Sequence, residues 1–304
     1  MERSLRNRLT FGPMMLLALL GLLYLDHWIE AHTYGQVQIP GHAYGYGGVG
    51  LLILLLIVLP VAVWELATLF AAEKVQPYRF IAVTGAGSLV IHAFLTQFNW
   101  FKPVAASALA FIIVFVMLFA ALRRAWVRQT QEAIHHMAGT VLAMLYVGGL
   151  GWFLMAIRVK HSYKPNGDIR FAGSTGVILM ILLVVKFTDV GAYFGGKRFG
   201  KRKLIPWLSP GKTWEGLFFG VLTAGLVGLG CAPRIAHLSL AQGFLFGVII
   251  GGIGQLGDLL ESLMKRDAEV KDSGHLIPGF GGVLDVIDSP LLAAPFAYLL
   301  FSLF

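Results

Sequence analysis

The chain is 304 residues long, 57% hydrophobic and only 13% charged, with a mean hydropathy of +0.74 and a formal net charge of +8. A soluble domain carries roughly 25% charged residues, so a soluble globular protein is excluded. The short alternating segments of a β-barrel are absent, and the expectation is an all-α, polytopic integral membrane protein.

Apolar runs near twenty residues suit helices crossing a hydrocarbon core about 30 Å thick. Nine occur, at residues 11–25, 49–71, 80–97, 103–122, 135–157, 173–194, 215–232, 241–263 and 287–304, and they predict about nine transmembrane helices. Arg3, Arg6 and Arg8 precede the first run as in a signal peptide, but no small-residue cleavage site follows, which favours an uncleaved span. With the N-terminus inside, cytoplasmic segments hold seventeen lysines and arginines. Six lie outside (Lys102, Arg158, Lys160, Lys164, Arg170 and Arg234), and Lys186 falls within a span. The positive-inside tendency then predicts a multi-pass protein of the cell's inner membrane, with both polar C-terminal stretches facing the cytoplasm. Attraction to anionic lipid headgroups accounts for the positive charge. No basic stripe interleaved with aromatics marks nucleic acid as a partner. The single Cys231 excludes an intrachain disulfide framework and any multi-cysteine metal site.

Residues 1–172 read as N-terminal membrane scaffold, with spans rich in Leu, Val, Ile and Ala. Loop 26–48 carries His27, His32 and His42 among aromatics and glycines. These are better read as an interfacial loop than as metal ligands, since Trp and Tyr favour that level. His135 and His136 start a span after a basic loop, and interface placement again suffices.

Residues 173–304 read as a catalytic membrane region with cytoplasmic loops. Lys186 and Asp189 stand three apart near the end of a span. They are able to neutralise one another, but an ionisable group inside a membrane marks a functional site by default. The cluster Lys197-Arg198-Phe199-Gly200-Lys201-Arg202-Lys203 reads mainly as a positive-inside flank. Ser209-Pro210-Gly211-Lys212-Thr213 contains Gly-Lys-Thr but is not a P-loop, because Pro206 stands where that motif needs glycine. Lys212, Thr213 and the amides before the next helix still offer a phosphate site at a helix N-terminus.

Gly247, Gly251, Gly254 and Gly257 share one helix face and should let another helix approach closely. That face leads to Asp258. Offsets of three, four and seven align Asp258, Glu261, Ser262 and Lys265, followed by Arg266. Snorkelling accounts for Lys265 and Arg266 but leaves Asp258 unexplained. After Lys271, the residues Pro278, Gly279, Gly281 and Gly282 break any regular helix and free backbone amides for an anion. Asp285 and Asp288 then share a face at the start of the last span. Helix capping explains one of them better than two. Mg²⁺ is held by one or two carboxylates plus substrate phosphates, and Asp258, Asp285 and Asp288 are able to supply them. No internal repeat supports a transporter built on inverted repeats.

At these residues the chain resembles the phosphatidate cytidylyltransferase, or CDP-diacylglycerol synthase, family. The family's C-terminal signature runs Ser-x-apolar-Lys-Arg, four residues, Lys-Asp, a Pro-x-His-Gly-Gly turn and Asp-Arg-x-Asp. Here it reads Ser262-Leu-Met-Lys265-Arg266, Lys271-Asp272, Pro278-Gly-Phe280-Gly281-Gly282 and Asp285-Val286-Ile-Asp288, with every spacing kept. Asp189-Val-Gly-Ala-Tyr193 and Ser209-Pro-Gly-Lys212-Thr213-Trp-Glu-Gly216 resemble family motifs as well. Phe280 and Val286 depart from the family's usual His and Arg.

The resemblance implies that CTP and phosphatidate from the bilayer give CDP-diacylglycerol and pyrophosphate. It implies Asp258, Asp285 and Asp288 as metal ligands for Mg²⁺, with room for a second cation, and Asp189 and Lys265 as further catalytic residues. Ser209, Lys212, Thr213, Ser262, Lys265, Arg266 and Lys271 would hold phosphates. A CTP-dependent polyprenol kinase, a related lipid-phosphate transferase and an inactive lipid-binding or transport relative are the alternatives. The oligomeric state, a homodimer included, is left open.

Overall fold

A computed structural model of the chain describes residues 2–39, 42–128, 130–163, 169–236 and 238–304. Lys164 and the side chains of Arg3, Arg6, Arg8, His42, Arg170 and Arg234 lie outside the described residues. Helix dominates, as the apolar runs require. The elements run α1 (Glu2–His32), β1 (Val37–Ile39), β2 (His42–Tyr44), α2 (Val49–Ala72), α3 (Arg79–Leu95), α4 (Ala105–Trp126), α5 (Ala133–Ala143) and α6 (Leu150–Val159). They continue with β3 (His161–Tyr163), β4 (Ile169–Ala172), α7 (Thr175–Phe199), β5 (Lys203–Ile205), β6 (Ser209–Thr213), α8 (Trp214–Ile235), α9 (Leu240–Asp267) and α10 (Leu284–Leu303). A π-helical stretch, Met144–Gly149, joins α5 to α6 into one continuous rod.

Each of the nine apolar runs falls on a helix. Among the described residues, eight helices are long and apolar enough to cross a membrane; α3, at 17 residues, is apolar but shorter. The described strands form three antiparallel hairpins, β1–β2, β3–β4 and β5–β6. The backbone polar groups of the spans are thus satisfied within helices, as hydrocarbon demands.

The chain divides into two compact units. The first comprises Met1–Val159 and Asp267–Val286. Its core packs Leu59, Ala62, Val63 and Leu66 of α2 with Ala86, Leu89 and Val90 of α3, all essentially buried. Gly148 of the π stretch lies against Ala86, where a side chain would meet the backbone. Within this unit α1 runs on to His32, so residues 26–32 are helical rather than loop. The reason is an ion cluster. Arg158, fully buried at the end of α6, donates from Nε to Asp26 Oδ2 at 2.6 Å and from Nη2 to Glu30 Oε2 at 2.7 Å. Asp26 and Glu30 are one helical turn apart and present both carboxylates to one cation. Arg158 is therefore an internal counter-ion and not one of the cations counted outside.

The second unit comprises Lys160–Arg266 and Ile287–Phe304. Its centre is the glycine face of α9. A side chain at Gly247 would strike the Ala224 carbonyl of α8, and a Cβ at Gly251 would lie 2.8 Å from Thr188 Oγ1 of α7. At Gly257 a Cβ would lie 3.0 Å from Ser289 Cα of α10. The expected close approach therefore occurs on three sides, because hydrogens in place of side chains let the helix backbones nearly touch. This packing brings the polar residues of α7, α9 and α10 together.

Candidate functional site

In the second unit the chain first anchors a short hairpin to the start of α8. Thr213 caps that helix, its Oγ1 accepting from Gly216 N at 3.1 Å, as an N-cap threonine does. Glu215 accepts from the backbone N–H groups of Lys201 and Arg202 at 3.1 and 3.2 Å. Trp214 N donates to Arg202 O at 3.0 Å. Loop 200–203 is thereby tied to the helix that follows it, and Lys212 is held at the edge of a cavity.

The cavity has a volume of about 570 Å³ and is lined by Asp189, Lys197, Lys201, Lys203, Lys212 and Asp258, among others. Lys212 Nζ stands 2.5 Å from Asp258 Oδ2 and also donates to the Gln255 carbonyl at 3.4 Å. Gln255 in turn donates from Nε2 to Asp189 Oδ1 at 2.8 Å. The chain Asp189–Gln255–Lys212–Asp258 fixes two carboxylates from different helices around one lysine. Four lysines outnumber two aspartates on the lining, a surplus that suits a polyanion.

Asp258 also belongs to a second grouping. One ligand atom from each of Asp258, Glu261 and Asp288 lies within 4.8 Å of the others. Glu261 is 1% exposed and Asp288 3%. Asp288 Oδ1 accepts from Ser289 Oγ at 3.2 Å, whereas Oδ2 is buried with no hydrogen-bond partner among the described residues. Lys265 Nζ approaches Glu261 Oε2 at 3.3 Å. Three carboxylates gathered together, two of them buried, repel one another and call for positive charge. Oxygen-only donors of this kind fit a hard divalent cation such as Mg²⁺.

The remaining candidates are placed differently. Asp285 belongs to the first unit and holds a loop: its Oδ2 accepts from Ser273 N at 3.0 Å, Ser273 Oγ at 2.9 Å and Gly282 N at 2.7 Å. Gly279 and Gly281 adopt φ of +89° and +99° there, so the turn needs residues without a Cβ. Lys271 is exposed in the same unit, and Asp288 follows Asp285 by three residues on α10. Ser262 is half-buried, Arg266 is exposed with Nε 3.5 Å from Leu208 O, and Ser209 sits in the hairpin opposite Ile205.

Three residues of consequence lay outside the expected set. Glu261 shares the Asp258 helix face, and its part in the carboxylate cluster shows only once α9 meets α10. Gln255 carries no charge to signal it. Glu65 is the lone ionisable side chain in the run 49–71, and the same rule that singled out Asp258 applies to it.

A family model described as the cytidylyltransferase family matches residues 42–304. The phosphatidate cytidylyltransferase of Bacillus subtilis (strain 168) is 34% identical over 241 residues, covering 78% of this chain and 85% of that protein. The phosphatidate cytidylyltransferase of Pseudomonas aeruginosa PAO1 is 46% identical over 132 residues, covering 42% and 49%. Uncharacterized protein YnbB of Escherichia coli K12 is 40% identical over 149 residues, covering 48% and 49%. The matched stretch thus spans about half the length of the last two relatives and most of the first.

Proposed function

The chain belongs to the cytidylyltransferase family, and we propose that it converts CTP and phosphatidate to CDP-diacylglycerol and pyrophosphate. The observation that carries this reading is the double membership of Asp258. It lies in the lysine-lined cavity and in the carboxylate cluster at once, so a site for a polyphosphate and a site for a divalent cation share a residue.

In the reaction, a phosphate oxygen of phosphatidate attacks the α-phosphorus of CTP. One P–O bond forms, the bond to the β-phosphate breaks, and pyrophosphate leaves with the electron pair. The nucleophile is already an anion, so no general base is needed. Catalysis rests on positioning and on neutralising charge. Lys212, with Lys197, Lys201 and Lys203 around the same cavity, neutralises the triphosphate. Lys265, Arg266, Lys271 and Ser262 receive further phosphate oxygens, and Thr213 and Ser209 shape the turn that presents Lys212. Asp189, held by Gln255, fixes the lysine's surroundings.

Asp258 and Asp288, with Glu261 beside them, would hold Mg²⁺; Asp285 is proposed as a further ligand. When bound, the ion supplies charge neutralisation and alignment of the phosphates. The distribution of lysine and arginine supports a cytoplasmic site on a multi-pass protein of the inner membrane.

The test is formation of CDP-lipid by purified protein in detergent with CTP, phosphatidate and Mg²⁺, alongside Asp258→Asn. Product in the parent and its loss in the variant support the assignment. Phosphate transfer to a polyprenol with no CDP-lipid would replace it with a lipid kinase.

A further inference from the structure

Glu65 lies in the C-terminal third of membrane helix α2 and is 8% exposed. Its partners among the described residues come from Ser273 and from the start of α10. Oε1 accepts from Val283 N at 3.0 Å, and Oε2 from Leu284 N at 2.8 Å and Ser273 Oγ at 3.4 Å. Val283 and Leu284 are the residues at which α10 begins. Their N–H groups are among those a helix leaves unpaired at its start, and the positive end of the helix dipole favours a carboxylate there.

The loop is built around this side chain. A Cβ at Gly282 would lie 2.6 Å from Glu65 Oε2, and one at Gly274 would lie 2.9 Å from Glu65 Cδ. Either would displace the carboxylate. Ser273 links the two acids, because its N–H and hydroxyl go to Asp285 Oδ2 while the same hydroxyl lies within reach of Glu65. Glu65 is therefore held by a cradle of backbone amides and missing side chains, and two of those amides belong to the residues at which α10 starts.

We propose that Glu65 is a positioning residue for the reaction: it clamps the start of α10 and thereby sets the carboxylate of Asp288, on the first turns of that helix, for metal binding. This rests on the metal reading given above. Glutamine at position 65 keeps the length but replaces one acceptor oxygen with a donor facing an amide N–H. Aspartate keeps the charge but falls one methylene short of the pair of amides.

The experiment is an EPR titration of the detergent-solubilised full chain with Mn²⁺, together with amide hydrogen exchange over residues 273–286. The proteins compared are the parent, Glu65→Gln, Glu65→Asp, Ser273→Ala, Asp285→Asn and Asp288→Asn. Residues that support metal ligands without touching the metal typically alter its affinity by about 10- to 100-fold. Glu65→Gln is expected to weaken Mn²⁺ binding by about that factor and to speed exchange at Val283 and Leu284. Glu65→Asp and Ser273→Ala should fall between it and the parent. Faster exchange with parent-like Mn²⁺ affinity would make Glu65 purely structural and overturn the proposal, as would no change in either readout. If neither Asp285→Asn nor Asp288→Asn weakens Mn²⁺ binding, the metal reading itself fails and takes this inference with it. If they weaken it and no Glu65 variant does, only the inference fails. Ser273→Ala, which removes one hydroxyl donor and leaves the Glu65, Asp285 and Asp288 carboxylates in place, keeps the test open should the Glu65 variants not fold.

Discussion

Lys212 Nζ and Asp258 Oδ2 stand 2.5 Å apart, with 17% and 40% of their side chains exposed. The pair joins the lysine surplus of the cavity to the carboxylate cluster. A lysine so placed serves two purposes. It offsets the aspartate, and it offers a cation to phosphate oxygens entering the same cavity. Lys212→Met should therefore lower kcat/KM for CTP by about 100-fold or more, the scale of losing one preorganised donor to developing charge. Lys212→Arg should recover part of it. The check is steady-state CDP-lipid synthesis, and a parent-like Lys212→Met would remove the residue from the site. Combined with Asp258→Asn, the losses should fall well short of the sum, as groups in direct contact do.

Gln255 is the joint between Asp189 and the Lys212–Asp258 pair. It is 5% exposed and donates to Asp189 Oδ1 at 2.8 Å. Gln255→Leu keeps bulk and removes the donor, leaving a part-buried carboxylate oxygen short of a partner at a cost of about 1–3 kcal/mol. The predicted result is a fall in kcat of about tenfold or more, with the protein still monodisperse in detergent. Asp189→Asn in the Gln255→Leu background should add little. Fully additive losses would show that the two residues act separately.

Two neighbouring glycines of α9 provide a packing test with its own control. A Cβ at Gly257 would stand 3.0 Å from Ser289 Cα and 3.2 Å from Asp288 O, both backbone atoms that cannot rotate away. At Gly252 nothing lies within 4 Å. Gly257→Ala should push α9 from α10 and cost about 1–3 kcal/mol, the range for overpacking, with a loss of activity because Asp258 and Asp288 part. Gly252→Ala should be neutral in thermal stability and in turnover. Equal behaviour of the two variants would mean that the glycine face does not set the carboxylate spacing.

Much of this arrangement was legible in the sequence, and the parts that were not have identifiable causes. Helix positions followed from apolar length, since hydrocarbon admits little else. The glycine face followed from spacing, and Asp258 from the cost of charge in the membrane. Asp285 and Asp288 looked equivalent at i and i+3, yet Asp285 Oδ2 is taken up by Ser273 and Gly282 while Asp288 joins Asp258 and Glu261. That difference comes from a loop whose path no periodicity encodes. Gln255 was silent because an amide carries no charge. Glu65 was audible but unheard: its run is otherwise so apolar that the segment read as scaffold, and its partners lie more than 200 positions away in the chain.

The same blind spot covered Asp26, Glu30 and Arg158, which meet only across 128 and 132 positions. Arg158 and Asp26 are both fully buried, whereas Glu30 keeps 19% of its side chain exposed. Removing one member of a buried pair strands the other at a cost of about 3–5 kcal/mol. Asp26→Asn and Arg158→Met should therefore destabilise strongly, seen as early thermal unfolding in detergent, while Glu30→Gln should cost visibly less. Asp26 also accepts from Gly50 N at 3.1 Å, which ties α1 to the start of α2. The doubly substituted Asp26→Leu, Arg158→Met protein should regain much of the lost stability, because no charge is then left alone. None of these residues lines the lysine cavity or joins the carboxylate cluster, so protein that stays folded should keep parent-like KM for CTP. A selective rise in that KM at unchanged stability would give the cluster a role in substrate binding instead.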